Sequence, residues 1–338
     1  MRKEIGSEFW EVPVCDSKNF IFPENASYFI SGRSALYYII EDILKNHKIR
    51  TVALPSWCCD SMITPFLEFN MTVKFYSVLK DDEFYCDFSD INNCDILFLM
   101  DYFGYDCRFK KEDFDGIIIR DLTHSVFTKK YNDAHYYFGS LRKWAGFFTG
   151  GFAWKKDGCF KEIKSHIFCE NYISMRKKAM EEKKKYIFKK SQSKDYLKMF
   201  NDAEDLIEKD IYSYFSESSD IEKIKYLDID LIKKKRRENA QYLLNELKSI
   251  AIFPKLQEND CPLFVPVIID NGRRDSLRKY LIENEIYAPV HWQISKFHNI
   301  TNKEKYIYDN ELSIVCDQRY NEQDMQRTLD VINKFMEE

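Results

Sequence analysis

The chain has 338 residues, 45% of them hydrophobic and 31% charged, with 51 basic against 55 acidic side chains and a net charge of -4. That length exceeds one small core and fits a large domain with a smaller one, and the balanced charge excludes a nucleic-acid partner held by bulk electrostatics. No apolar run approaches the ~20 residues of a membrane span, no apolar targeting core follows Met1, and the ten cysteines are too irregularly spaced for a disulfide framework or a zinc site, so a cytoplasmic protein with free thiols and no metal is expected.

Residues 1–25 read as an irregular arm that includes the short aromatic stretch Ile5-Gly6-Ser7-Glu8-Phe9-Trp10. Residues 34–46 form an amphipathic helical pattern, with Leu36, Ile39, Ile40, Ile43 and Leu44 on one face. Short apolar runs follow at Thr51–Leu54, Thr72–Val78, Ile96–Met100, Gly116–Arg120, Tyr136–Phe138 and Gly151–Trp154, with a helical stretch at Ser61–Phe69. Several runs are rich in strand formers and do not alternate, as strands buried on both faces of a parallel sheet do. From Lys161 to about Asn239 the chain is highly charged and helical in character, and the Lys/Glu pattern of Lys177–Lys190 reads as a solvated helix face. A long helix starts near Asp228 or Asp230, which caps a pattern carrying Ile232, Leu243, Leu244 and Leu247. The strand Pro262–Ile269, the helix Arg274–Asn284, the strand Ser313–Cys316 and the helix Glu322–Phe335 complete the chain. The expected fold is α/β: a large domain over 26–228 with a mainly parallel central sheet flanked by helices, and a small α+β domain over 229–338.

Three local patterns carry chemistry. Ser31-Gly32-Arg33-Ser34 opens a helix with glycine and small hydroxyls, a suitable place for a phosphate, although the same residues also suit an ordinary helix cap. Asp121 ends an isoleucine run, at the strand edge where α/β sheets place ligands, and His124 follows three residues later. Ser140-Leu141-Arg142-Lys143 then presents a lysine on a short turn, 22 positions after Asp121. An acid that keeps a pyridine nitrogen protonated, a lysine that forms a Schiff base and a phosphate-binding helix start together make the layout of a pyridoxal phosphate (PLP) pocket. Arg142 adds a neighbouring cation, Ser140 would reach the phosphate, and Trp57, with Cys59 or Asp60 as alternatives, would stack on the ring.

These residues resemble the fold-type I PLP aminotransferases of the DegT/DnrJ/StrS sugar aminotransferase family over nearly the whole chain. Ser31–Leu36 is similar to the family's Ser-Gly-Thr-Ala-Ala-Leu loop, Pro55-Ser56-Trp57 to its Pro-Ser/Ala motif, Asp121-Leu122-Thr123-His124 to Asp-Ala-Ala-His/Gln, and Arg236-Arg237-Glu238-Asn239-Ala240 to Arg-Arg-x-Asn-Ala. Asp101-Tyr102-Phe103-Gly104 resembles His-x-Tyr-Gly with the histidine lost, Tyr287–Trp292 the Pro-x-His element, and Ser313–Gln318 with Asn321-Glu322-Gln323-Asp324 the closing signature. The chain departs from the family in the Ser140 to Lys143 spacing, in Phe148-Thr149-Gly150-Gly151, and in lacking a Gly-His-Asn-x-Arg stretch, whose place is taken by the region around Met175–Ala179.

The resemblance implies an aminotransferase that takes an amino group from an amino acid, glutamate in the family, and delivers it to a nucleotide-linked keto-sugar for polysaccharide or antibiotic assembly. Lys143 would hold PLP as a Schiff base and shuttle the proton; Asp121 would stabilise the ring; Gly32, Arg33, Ser34 and Ser140 would bind phosphate; Trp57 or His124 would cover the ring. Arg142, His291 and Trp292 are the expected substrate contacts. A homodimer without a nucleic-acid or membrane partner is implied. Other PLP chemistry on the same scaffold, or a catalytically silent scaffold protein, are the alternatives.

Overall fold

The computed structural model describes residues 4–89, 91–106, 114–129, 131–161, 169–209 and 216–337. A short strand β1 (Ile5–Gly6) begins the arm, and β2 (Ser27–Phe29) leads into α1 (Gly32–Asn46). There follow β3 (Thr51–Pro55), α2 (Asp60–Glu68), β4 (Thr72–Lys80), β5 (Phe84–Asp87), β6 (Ile96–Met100), β7 (Ile117–Asp121), β8 (Tyr136–Ser140) and β9 (Gly151–Lys155). The second half holds α3 (Glu170–Ile187), α4 (Tyr196–Lys209), α5 (Ser218–Lys225), α6 (Ile229–Leu247), β10 (Phe264–Ile268), α7 (Arg274–Glu283), β11 (Ile286–Tyr287), α8 (Asn302–Asn310), β12 (Glu311–Val315) and α9 (Glu322–Glu337).

Eight strands form one sheet in the order β2-β9-β8-β7-β6-β3-β4-β5. The five central strands, β8 through β4, are parallel; β9 and β5 run antiparallel to them at the sides, and β2 pairs antiparallel with β9 at the edge. The centre is parallel because its strands are apolar on both faces: every residue of Ile96–Met100 is buried. The apolar runs read from the sequence match these strands closely. Among the elements missed, β2 and β5 are short and only partly buried, which leaves little signal.

A second hydrophobic core forms around the antiparallel pair β10–β12, with Leu243, Leu277, Leu312, Ile314 and Leu329 from the surrounding elements and Ile5 from the arm. The arm is therefore more than an irregular lead-in. Its Ile5 and Gly6 pair in parallel with Ile286 and Tyr287. Arg319, paired with Asp317 at 2.8 Å, donates to the carbonyls of Ser7 and Glu8, and Gly146 N–H donates to Glu11 O at 2.9 Å.

The Lys/Glu stretch is only partly the solvated face expected; its flanks at 162–168 and 210–215 lie outside the described residues. In α3, Lys177, Lys178, Lys184 and Lys185 are exposed, but Arg176 and Lys183 are buried in one stripe with Tyr172, Ala179, Met180 and Tyr186. Helical spacing turns both cations inward, and the arm supplies their carboxylates. Lys183 pairs with Glu4 at 3.0 Å, both wholly buried, and Tyr196 donates to the same carboxylate at 2.7 Å. No helix among the described residues is long and apolar enough to cross a membrane.

Candidate active site

The parallel strands deliver the turns after β3, β6, β7 and β8 to one edge of the sheet, where such sheets place ligands. Register brings them into rows: Asp121 lies between Met100 of β6 and Phe138 of β8, while Ser140 pairs with Gly151, which pairs with Phe29. Ser31 caps α1, its Oγ accepting from Ser34 N–H at 3.1 Å, and the helix has no acidic residue in its first turn. The helix start thus keeps its positive end free of a protein carboxylate. It lies against β9 at Gly151, where an added Cβ would sit 2.2 Å from Ser31 O, and Gly139 similarly leaves room for Thr123 N, 2.9 Å from where its Cβ would be. Ser140 makes no side-chain cap bond at its own turn. Ser34 is buried with both its N–H and its hydroxyl against Ser31 Oγ, so its phosphate role would require that cap to be shared.

Asp121 is almost wholly buried and its carboxyl is pushed up to about 6 by desolvation, which the N–H of Thr123 at 2.7 Å only partly offsets. No cation acts on it among the described residues. It is a buried acid that lacks the positive partner its burial calls for. His124 is held neutral, pushed down to about 3 by burial and then by the charge of Lys143, and its Nδ1 is buried without a hydrogen-bond partner among the described residues.

Lys143 ends a single tight turn, Leu141–Lys143. The next residue fixes that turn: Trp144 donates its indole N–H to Thr123 O at 2.8 Å, lies under the Arg236 guanidinium at 4.6 Å, and accepts at its carbonyl from Gln318 at 2.6 Å. The side chain of Lys143 is exposed and forms no hydrogen bond or ion pair among the described residues. It opens into a cavity of about 370 Å³ shared with Glu8, Arg142, Glu204, Arg236 and His291. Arg142 is ion-paired with Glu204. Burial disfavours the Glu204 charge, yet Arg142, Arg176 and Lys143 hold its carboxyl down to about 2. Lys143 therefore stands between two acids, Glu8 and Glu204, and two neutral imidazoles, His124 and His291. A larger cavity of about 960 Å³ lies at the opposite sheet edge, around Asp95, Gly116 and Tyr136, and contains none of these groups.

Trp57 does not fill the role expected of it. It is fully buried, its ring stacked on Tyr102 at 4.8 Å and its indole N–H donated to His291 O at 2.5 Å, so no face remains for a ligand. Cys59, two residues on, lies within the fields of both Asp121 and Lys143. The aromatic layer beside Lys143 is His124 facing Trp292 at 5.6 Å, with Phe103 at 5.1 Å on the histidine. Asp101, where the resembled family has histidine, is buried against Arg120 at 3.4 Å. Arg33 is half-buried at the helix start.

The sequence reading missed Glu8, Arg176, Glu204, Glu311 and Ser313. Glu8 and Glu204 carry no local signal, because they reach Lys143 from elements far apart in the chain. Glu311 did carry one: an acid opening the apolar strand Glu-Leu-Ser-Ile-Val.

Four features fit a group with a phosphate, an aromatic ring and a basic ring nitrogen: the positive end of α1, which has no acidic residue in its first turn, the two glycine clearances, an Asp121 with no ion-pair partner among the described residues, and the unpaired Lys143 amine.

The sequence matches no protein-family model and no curated protein. Solved structures do match it. An aminotransferase from Helicobacter pylori, PseC, involved in the biosynthesis of pseudoaminic acid, is 13% identical with a TM-score of 0.65, covering 97% of this chain and 99% of its own. A DegT DnrJ EryC1 StrS aminotransferase from Brucella abortus is 14% identical with a TM-score of 0.60, covering 92% of this chain and 85% of its own. Spr1654 from Streptococcus pneumoniae, in its PMP form, is 12% identical with a TM-score of 0.60, covering 92% and 87%. At these identities the likeness establishes the fold that the chain shares with them.

Proposed function

We propose that this chain, folded like the sugar aminotransferases, is itself a PLP-dependent aminotransferase. The observation that carries the reading is the pairing of a buried acid without a cation, Asp121, with an exposed and unpaired amine, Lys143, on adjacent turns of one sheet edge. PLP supplies an electron-accepting ring that makes a substrate C–H proton removable. Asp121 would hold the ring nitrogen protonated; the start of α1 with Gly32, Arg33 and Ser140 would bind the phosphate; His124 and Cys59 would border the ring; Lys143 would carry the cofactor and move the proton.

The donor is an amino acid, glutamate by the family resemblance, and the acceptor a keto-sugar, for which the names of the neighbours provide the support. The cationic Arg142 and Arg278 at the cavity suit an acidic donor or a phosphorylated sugar. A homodimer is part of the same reading. The test is an absorbance spectrum of the protein supplied with PLP, alongside Lys143→Ala, before and after glutamate. A yellow band that requires Lys143 and bleaches with glutamate is expected. A band that glutamate leaves unchanged would favour other PLP chemistry, and no band at all would overturn the enzyme reading.

A further inference from the structure

We propose that Glu311, Ser313 and His291 form a buried proton relay that presents His291 Nε2 to the cavity beside Lys143 as acid and base for an oxygen of the bound substrate. The word substrate rests on the aminotransferase reading; the relay rests on geometry alone. Strand alternation places Glu311 and Ser313 on one face of β12. Ser313 Oγ lies 2.5 Å from Glu311 Oε1 and 3.0 Å from His291 Nδ1. The backbone holds the same arrangement: His291 N–H donates to the Glu311 carboxyl at 2.8 Å, Ser313 N–H to Pro289 O at 2.9 Å, and Trp57 to His291 O at 2.5 Å. Phe103 and Phe264 flank the ring at 5.1 and 5.3 Å. With Nδ1 engaged, Nε2 is left without a hydrogen bond among the described residues, and the side chain keeps 11% of its surface exposed at the cavity it shares with Lys143.

A purely structural role does not need an acid here. Glu311 is wholly buried, and a neutral amide would offer His291 N–H the same carbonyl acceptor without the cost of a buried charge. The relay does need one. When Nε2 takes a proton from a substrate hydroxyl, the Nδ1 proton passes to Ser313 Oγ and the Ser313 proton passes to Glu311 Oε1. The imidazole changes tautomer without becoming charged, and the proton rests on the carboxyl. Reversal returns it to an oxygen that must leave as water. Burial favours this division, since it pushes the Glu311 carboxyl up to about 8 and holds His291 well below its ordinary value. Among the described residues, the other charged or titratable groups that face the relay are Arg274 of α7, beside Glu311, and His124 and Lys143, beside His291.

The experiment is nitrogen NMR of histidine-labelled full-length protein without added PLP, titrated through a window of about pH 6 to about pH 10. His291 should carry its proton on Nε2 at the acid end, when Glu311 donates to Ser313 and Ser313 to Nδ1. It should carry the proton on Nδ1 at the alkaline end. Glu311→Gln should show a single tautomer throughout. One tautomer across the window in the wild-type protein, or a switch that survives in Glu311→Gln, would overturn the relay; the wild-type titration decides even if that variant does not fold. In turnover with PLP, glutamate and a keto acceptor, Glu311→Gln and Ser313→Ala should each lower kcat about 10²-fold, with KM little changed and Ser313→Thr restoring much of the loss. Unchanged kcat in both would reduce the relay to a structural bond and overturn its catalytic role. A tautomer switch without any cofactor band would sink the aminotransferase reading and leave the relay standing; a band with no switch would do the reverse.

Discussion

Asp121 shows what one residue costs before its ligand arrives. Its folded-state carboxyl lies near 6 against an ordinary 3.8, so the folded chain holds the proton more tightly than the unfolded one. Stability from this group is complete below the ordinary value and is lost as pH rises through about 6. Asp121→Asn should therefore stabilise the cofactor-free protein at pH 8 by up to about 3 kcal/mol in urea unfolding, with no gain near pH 4. With PLP bound the order should reverse, because the amide offers the ring nitrogen no charge. Gly151 makes a steric point: Gly151→Ala puts a methyl 2.2 Å from Ser31 O and must displace the cap of α1. We expect PLP affinity to fall about tenfold or more, measured by titrating the absorbance band, alongside a stability loss of about 2 kcal/mol. The places of Asp121 at a strand end and Lys143 on a turn were legible in the sequence, because both are local patterns. Trp57 was misread because the residue of a turn that faces a site depends on what packs on its neighbours, and Tyr102 lies 45 positions away.

At the scale of elements, α3 marks the limit of pattern reading. In this Lys/Glu-rich helix the sparse stripe of Tyr172, Ala179, Met180 and Tyr186 is the one local mark of which cations turn inward, and the carboxylate that receives Lys183 comes from the arm. A buried pair is held together by the cost of leaving one partner alone. Lys183→Met or Glu4→Gln alone should destabilise the protein by about 3 kcal/mol, and the double variant should recover most of that loss. Chemical unfolding of the four proteins would check this; additive losses would mean that the pair is not coupled. The parallel strands, by contrast, were readable to within a residue or two, because burial on both faces writes a continuous apolar run into the sequence.

Across the whole molecule the buried titratable groups act from both sides. His124, pushed down to about 3, and His291, also lowered, favour the unfolded state in acid, so stability is lost as pH falls below 6.5. Asp121 and Glu311, raised to about 6 and about 8, withdraw stability as pH rises through those values. Thermal melts of the cofactor-free protein should peak at about pH 5–6, and PLP should raise the alkaline limb more than the acid one. A curve that rises steadily to pH 8 would contradict these environments. The strands of the sheet and most of the elements after residue 228 could be foreseen one by one; the pairing of the arm could not, because the partners of Ile5 and Gly6 lie 281 positions away and form a strand of only two residues.

That two-residue pairing has a mechanical side. Force applied to the amino terminus would load β1 against β11 in shear, then the Arg319 contacts to Ser7 and Glu8, and then Gly146 N–H on Glu11 O. The last of these grips the chain three residues beyond Lys143. A pull on the arm would thus strip Glu8 from the cavity wall and tug the lysine turn before the central sheet felt the load, so the first rupture in a force-extension trace would coincide with loss of the site.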